Sequence, residues 1–325
     1  MTAWPAVGAV RRSPAYTVSE ADVAMFAGLS LDFASLHTDA AYAAKGIFGR
    51  RVGHGLLGMC LMEGRLGRGL GSDAVSFAWE WEFQTPFFDG DTLVAEATVE
   101  ITEARDDLEF VTEAVVVFNQ RGEAIQKGRH KLARSGRTAD RGWARAGLSA
   151  PRPGFDETRV AEEGPLPTTT SSRDVLAETS VFFEDVAPGD RFSTPAITVS
   201  DFAVEGFAGL IGEMGAWFAD EPTAQDAGLR ERVVPPLYGL ALVEGLKYAS
   251  RGVGIPMASL SWRWLQVQPI YRGDTLHVDV TVQGKRASRS KTDRGVVAQT
   301  IRLVAADRGV VQRGQHLQMF RRRPA

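Results

Sequence analysis

Cysteine is nearly absent. Cys60 is the only one in 325 residues, so no intrachain disulfide can form and a reducing compartment is the natural setting. It lies inside the apolar run LLGMCLM, where core packing is its expected role. No uninterrupted apolar stretch approaches the roughly 18 residues that a membrane helix needs. The opening MTAWPAVGAVRR places its charges after the apolar residues, which is not a signal-peptide layout. The expected location is therefore cytoplasmic, with no membrane partner. Neither charge sign is in excess: 37 Lys and Arg against 40 Asp and Glu give a net charge of −3. That leaves no electrostatic footprint for nucleic acid. The glycines between Gly64 and Gly71 follow a helical pattern instead of leading from a strand into one, so they are not a dinucleotide fingerprint. No usual metal-ligand spacing occurs, and neither a metal nor another cofactor is expected. What remains, 44% hydrophobic and 24% charged residues, is an ordinary globular composition, long enough for two domains that each bury a core.

The chain is one unit written twice. Ser13-Pro-Ala-Tyr-Thr-Val-Ser19 returns as Thr194-Pro-Ala-Ile-Thr-Val-Ser200, an offset of 181. The register carries Phe26-Ala27-Gly28-Leu29 onto Phe207-Ala208-Gly209-Leu210 and Glu63-Gly64 onto Glu244-Gly245. It then moves to 183, where Trp79-x-Trp81 meets Trp262-x-Trp264 and Gly90-Asp-Thr-Leu meets Gly273-Asp-Thr-Leu. In each copy a serine, Ser19 or Ser200, stands as the N-cap of a short helix with acid in its first turn. A longer apolar helix follows, over about 55–69 and 237–250. Residues 77–83, FAWEWEF, alternate with the period of a half-buried strand, which makes their aromatics sheet core. Further strands are expected over 92–103, 108–118 and up to Ala133, with turns at Asp89-Gly90-Asp91 and Gln120-Arg121-Gly122. Between the copies, a stretch rich in Gly, Pro, Ser, Thr and charge reads as a linker. The expected division is 1–136, a linker over 137–178, and 179–325.

Candidate chemistry concentrates between Met25 and Gly64. Asp32 precedes His37 by five residues in a polar loop of small residues, and His54-Gly55 then leads into the apolar helix. A carboxylate and an imidazole can carry protons, while free N–H groups at a helix start can hold a developing oxyanion.

The string Asp32-Phe-Ala-Ser-Leu-His37-Thr-Asp39, followed by Tyr42 and by Phe48-Gly-Arg-Arg-Val-Gly-His54-Gly55-Leu56, resembles the signature of the MaoC-like, or (R)-specific enoyl-CoA hydratase, family. Ala34 and Ser35 replace that family's Asn-Pro. Glu63 stands where some hydratases carry a helix serine, which bears on the lining near Asp32. The resemblance implies an α+β double hot dog, two long antiparallel sheets each wrapped around a central helix and joined edge to edge. A homodimer of such double hot dogs is compatible with it. It further implies hydration of a 2-enoyl thioester, or dehydration of a 3-hydroxyacyl thioester, on CoA or an acyl carrier. Asp32 and His37 would hold the reacting water and the Gly55 N–H would take the thioester oxyanion, with His54 shaping that turn and lining the substrate site. Lys45, Arg50 and Arg51, or Arg286, Arg289 and Lys291 in the second copy, are candidates to meet the CoA phosphates.

The second copy supplies a control. At the same offset Asp32 becomes Glu213, His37 becomes Phe218, and His54-Gly55 becomes Pro235-Pro236. A phenyl ring carries no proton and a proline has no N–H to donate. The second site is therefore expected to be chemically silent, its half serving as structure and as part of a substrate tunnel. Three alternatives stay open: a hydratase of short branched dicarboxyl substrates of the mesaconyl-CoA type, which tandem members of this length resemble; a hot dog thioesterase; and a non-catalytic acyl-thioester binding module. Ser35 is not in a nucleophile-elbow context.

Overall fold

The computed structural model describes residues 5–67, 74–105, 108–135, 181–250 and 256–324; the expected linker, 137–178, lies outside them. The first half opens with β1 (Val10–Arg12) and β2 (Tyr16–Thr17) and continues through α1 (Glu20–Ser30), α2 (Ser35–Thr38), α3 (Ala40–Ala44) and α4 (Gly55–Gly67). Four long strands follow: β3 (Val75–Phe83), β4 (Thr92–Arg105), β5 (Leu108–Phe118) and β6 (Ala124–Ser135). The second half repeats the order with β7 (Arg191–Ser193), β8 (Ile197–Thr198), α5 (Asp201–Ile211), α6 (Ala216–Ala219), α7 (Glu221–Asp226) and α8 (Leu237–Ala249). Its long strands are β9 (Pro256–Gln266), β10 (Thr275–Ala287), β11 (Arg294–Ala305) and β12 (Gly309–Arg321).

Local sequence accounts for the helix starts. The Ser19 side chain accepts from the Asp22 N–H at 3.2 Å, and the Asp22 carboxylate accepts from the Ser19 N–H at 2.7 Å, a reciprocal capping box. Ser200 caps α5 through the Ala203 N–H. The turns expected at Gly90 and Gly122 are present with φ of 88° and 76°, a region that favours glycine. The second long helix ends at Ala249, one residue before the expected bound.

Among the described residues all strand pairings are antiparallel, and the strands form one sheet in the order β1-β4-β5-β6-β3-β9-β12-β11-β10-β7, with β2 paired to β4 and β8 to β10 off this path. The halves join where β3 pairs with β9, setting Trp79 opposite Trp264 and Trp81 opposite Trp262. Each half hides an edge that would otherwise be free to pair with another chain. This is the expected α+β double hot dog. The alternation expected over 77–83 is present with one interruption. Phe77, Trp79 and Trp81 are buried while Glu80 and Glu82 point outward, and only Ala78 departs, buried beside Phe77 where the β3–β6 register shifts between Ser76 and Ala78. The four tryptophans join the core formed with α4 and α8.

Two glycines let the halves interlock. A Cβ on Gly245 of α8 would sit 1.8 Å from the Ser30 carbonyl oxygen, and one on Gly64 of α4 would sit 2.4 Å from the Ile211 oxygen. The Glu-Gly block kept in both copies thus brings each central helix against the end of the other half's first helix. Through Gly245, α8 comes to lie beside the chain that enters Asp32.

Candidate active site

Leu31 terminates α1 in the left-handed conformation at φ 65°, the only non-glycine residue with positive φ among those described. Its counterpart in the silent half is Gly212 at φ 73°. Leucine here costs roughly 1–2 kcal/mol of backbone strain, and the turn delivers Asp32 into a cleft. The Asp32 carboxylate accepts from the Ala34 N–H at 3.3 Å. His37 sits one turn on, and it lies in the single-turn helix α2, not in the expected loop.

The His37 Nδ1–H donates to the Val52 carbonyl at 2.8 Å. That bond sets the tautomer and leaves Nε2 as the nitrogen able to accept or release a proton. His54 lies beneath it, the two rings stacked with centroids 3.8 Å apart. His54 Nε2–H donates to the Asp32 carbonyl oxygen at 2.9 Å and lies 3.9 Å from the Asp32 carboxylate. Burial, then the neighbouring His37, push the His54 imidazolium down to about 3, so this ring is neutral and serves to position the pair. Asp32, His37 and His54 each offer one ligand-type atom within 4.8 Å of the others. From the sequence the imaginable set is His37, Asp39 and His54, at a spacing that fits no usual metal pattern; the structure brings Asp32 to these histidines. His54 Nε2 is spent on that backbone carbonyl, while its Nδ1 is buried with no hydrogen-bond partner.

Gly55 is the first residue of α4, where backbone N–H groups have no partner within the helix. Only glycine fits, since a Cβ would approach the Phe83 ring to 2.9 Å. Gln126 steadies this helix start, its Nε2 donating to the Gly55 carbonyl at 2.9 Å while Trp81 Nε1 donates to its Oε1 at 3.0 Å. Asp32, His37, His54 and Gly55 all line one cleft of about 350 Å³.

The expected phosphate-binding cations stand differently. Arg50 pairs with Asp89 at 3.0 Å and lies over the Phe88 ring, and Arg51 pairs with Glu20. Neither they nor Lys45 lines the cleft, although Ile47 and Phe48 between them do. Arg286, Arg289 and Lys291 are exposed, and none of the three lines the cleft, whereas the nearby Arg294 does.

The second half supplies one wall of this cleft, including Glu244, Lys247, Ser259, Met257 and Gln318; the sequence reading gave that half a part in a substrate tunnel but named none of these residues. The available signal was a lysine inside the apolar helix LYGLALVEGLKYA, where the first copy has Leu66. Glu63 is not near Asp32 as its sequence position implied. It binds His130 Nδ1 at 2.7 Å under its own half of the sheet, and its repeat partner Glu244 faces the Asp32 cleft instead.

The counterpart of the active loop is closed. Trp217 and Phe218 are buried, Pro236 caps α8, and Glu213 Oε1 accepts from the Gly215 N–H at 2.8 Å. Glu213 thus keeps the turn-forming bond that Asp32 makes while the proton-carrying partner is gone.

A family profile described as a MaoC like domain matches residues 5–120. An (R)-specific enoyl-CoA hydratase from Aeromonas caviae is 41% identical over 109 residues, covering 33% of this chain and 80% of that protein. A MaoC-domain protein from Chloroflexus aurantiacus superposes with a TM-score of 0.80 at 17% identity, covering 98% of this chain and 96% of that one. A Mycobacterium tuberculosis protein described as having a double hot dog fold gives 0.72 at 17% identity, covering 97% of both chains.

Proposed function

Because the chain belongs to the MaoC-like family of (R)-specific enoyl-CoA hydratases, we propose that it adds water across the 2,3 double bond of an enoyl thioester, or removes it from the 3-hydroxyacyl thioester. The observation that carries this reading is the Asp32–His37 pair beside the Gly55 helix start in one cleft. One water held between the two side chains adds its oxygen to C3, and a proton returns to C2 from the same face. The carboxylate and the free imidazole nitrogen divide the proton traffic. Charge that builds on the thioester oxygen is met by the N–H groups that open α4. His54 stays neutral and holds both reacting groups. The chemistry requires no metal or other cofactor.

The substrate is carried on CoA or on an acyl carrier, with Lys45, and Arg50 and Arg51 once released from Asp89 and Glu20, near the phosphates. Incubation with crotonyl-CoA tests the reaction. Loss of the conjugated thioester absorbance without free thiol is the expected result. Free thiol would make the protein a thioesterase, and binding without either change would make it a non-catalytic module.

A further inference from the structure

The cleft wall given by the second half is polar where the fold does not require it. Lys247 is 2% exposed, and its Nζ donates to His316 Nδ1 at 2.9 Å and to Glu244 Oε1 at 3.4 Å. His316 Nε2–H in turn donates to Ser259 Oγ at 2.7 Å, and the ring stacks flat on Trp262. Gln318, opposite Ser259 on the neighbouring strand, is also 2% exposed, and its Oε1 is buried with no hydrogen-bond partner. Lys247, Glu244, Ser259 and Gln318 line the same cleft as Asp32 and His37.

The repeat shows what the fold alone would place there. The last strands of the two halves align through Gln126 and Gln312, each of which accepts from a tryptophan, Trp81 or Trp264, and donates to the start of a central helix. In that register His130 matches His316, and Leu132, paired with Ser76, matches Gln318. On the central helices Leu66 matches Lys247. Leu66 and Leu132 are 2% and 3% exposed, as buried as the residues that replace them. A glutamate beside a buried histidine is common to both halves, Glu63 by His130 and Glu244 by His316, but in the second half Lys247 stands between them and donates to both. Only the wall facing the live site exchanges two leucines for a lysine and a glutamine. Burying such groups costs free energy unless a partner satisfies them, and leucines would make the better wall for an alkyl chain.

We propose that Lys247, Gln318 and Ser259 form a recognition wall for an acyl group that carries oxygen, a hydroxyl or a carboxyl, and that the second half, silent in proton transfer, thereby selects the substrate. This rests on the hydratase reading of the cleft. Lys247 donates to the substrate oxygen, and the Gln318 amide meets it as donor or acceptor according to its rotamer. A plain alkyl chain leaves the Gln318 Oε1 without a partner and offers nothing to the third N–H of Lys247.

The test uses three short 2-enoyl-CoA thioesters that differ only in a methyl, hydroxymethyl or carboxyl terminus, with wild type, Lys247→Leu and Gln318→Leu. Both substitutions install the residue that the first half already carries. Wild type is expected to favour an oxygen-bearing terminus in kcat/KM by about 10-fold or more, the scale of one unsatisfied buried hydrogen bond. Each variant lowers that ratio by a similar factor, and Gln318→Leu serves alone if Lys247→Leu fails to fold. Which oxygenated terminus is preferred separates hydroxyl from carboxyl. A wild-type preference for the methyl terminus, or variants that leave the ratio unchanged, would overturn the proposal. If no thioester is turned over, the hydratase reading fails and the wall is judged by calorimetric binding of saturated CoA thioesters with the same termini. The same ranking upholds it and an absent ranking sinks it.

Discussion

His54 and His37 stack with ring centroids 3.8 Å apart and 28° between their planes, yet they hold different bonds and different duties. His37 is tied by Nδ1 to the Val52 carbonyl and turns its other nitrogen to the cleft. His54 is buried, packed on Phe26 at 5.0 Å, and reaches back to the Asp32 backbone.

His54→Phe keeps the ring stack and removes the bond to Asp32. Turnover should drop about 10-fold, the cost of losing one hydrogen bond of 1–1.5 kcal/mol, with little loss in KM. The pH dependence of stability should also change. Burial holds the folded pKa of His54 down to about 3, below the ordinary imidazole value of 6.5. Its contribution is therefore present above 6.5 and declines as pH falls toward 3, where the unfolded chain binds the extra proton. Denaturant midpoints between pH 4 and 7 should slope less in the variant, and an identical slope contradicts the assignment.

Asp32→Asn and His37→Ala should each lower turnover by about 10² or more, the scale of a positioned acid or base. The double variant should be little worse than either single one, since both act on one water. Steady-state rates on crotonyl-CoA decide this, and near wild-type activity in either single variant removes the pair from the mechanism.

Gly245→Ala should damage both stability and rate. Its Cβ would meet the Ser30 oxygen at 1.8 Å and the Leu31 carbonyl carbon at 2.6 Å, backbone atoms that cannot swing aside. A cost of at least 1–3 kcal/mol is expected, with the Asp32 turn displaced. Gly209→Ala, on a helix with nothing within 4 Å, is the control and should stabilise by about 0.5–1 kcal/mol. Thermal melts and rates of the two variants give the comparison, and equal behaviour refutes the interlock.

His130 should govern the alkaline limit of stability. Burial opposes its charge, but Glu63 and Glu113 outweigh it and hold the imidazolium up to about 9 from 6.5. This contribution is full below 6.5 and is lost as pH rises through about 9. Glu113 runs the other way: burial opposes its ionisation, but His130 and Arg11 hold it down to about 2 from 4.5. Its share is present above 4.5 and fades toward 2. Urea unfolding of wild type should weaken between pH 6.5 and 9, and His130→Gln should lose that slope. An unchanged alkaline slope in the variant would place its origin elsewhere.

Much of this was legible in one dimension. Serine caps, Gly90 and Gly122 turns and alternating aromatics are local signals, so the order of helices and strands followed from the residues themselves. The two copies exposed each other: Phe218 and Pro236 in place of His37 and Gly55 marked the first loop as the candidate for proton transfer and the second as lacking the groups for it. What tertiary structure alone decided is which residues from distant parts of the chain share a cavity. Gly245 admits α8 beside Ser30, and that contact, 215 residues apart in the chain, places Glu244 and Lys247 before Asp32 while Glu63 turns to His130. Side-chain periodicity reports which face of an element is buried. It does not report whose cavity that face closes, because this depends on how two surfaces far apart in sequence pack together.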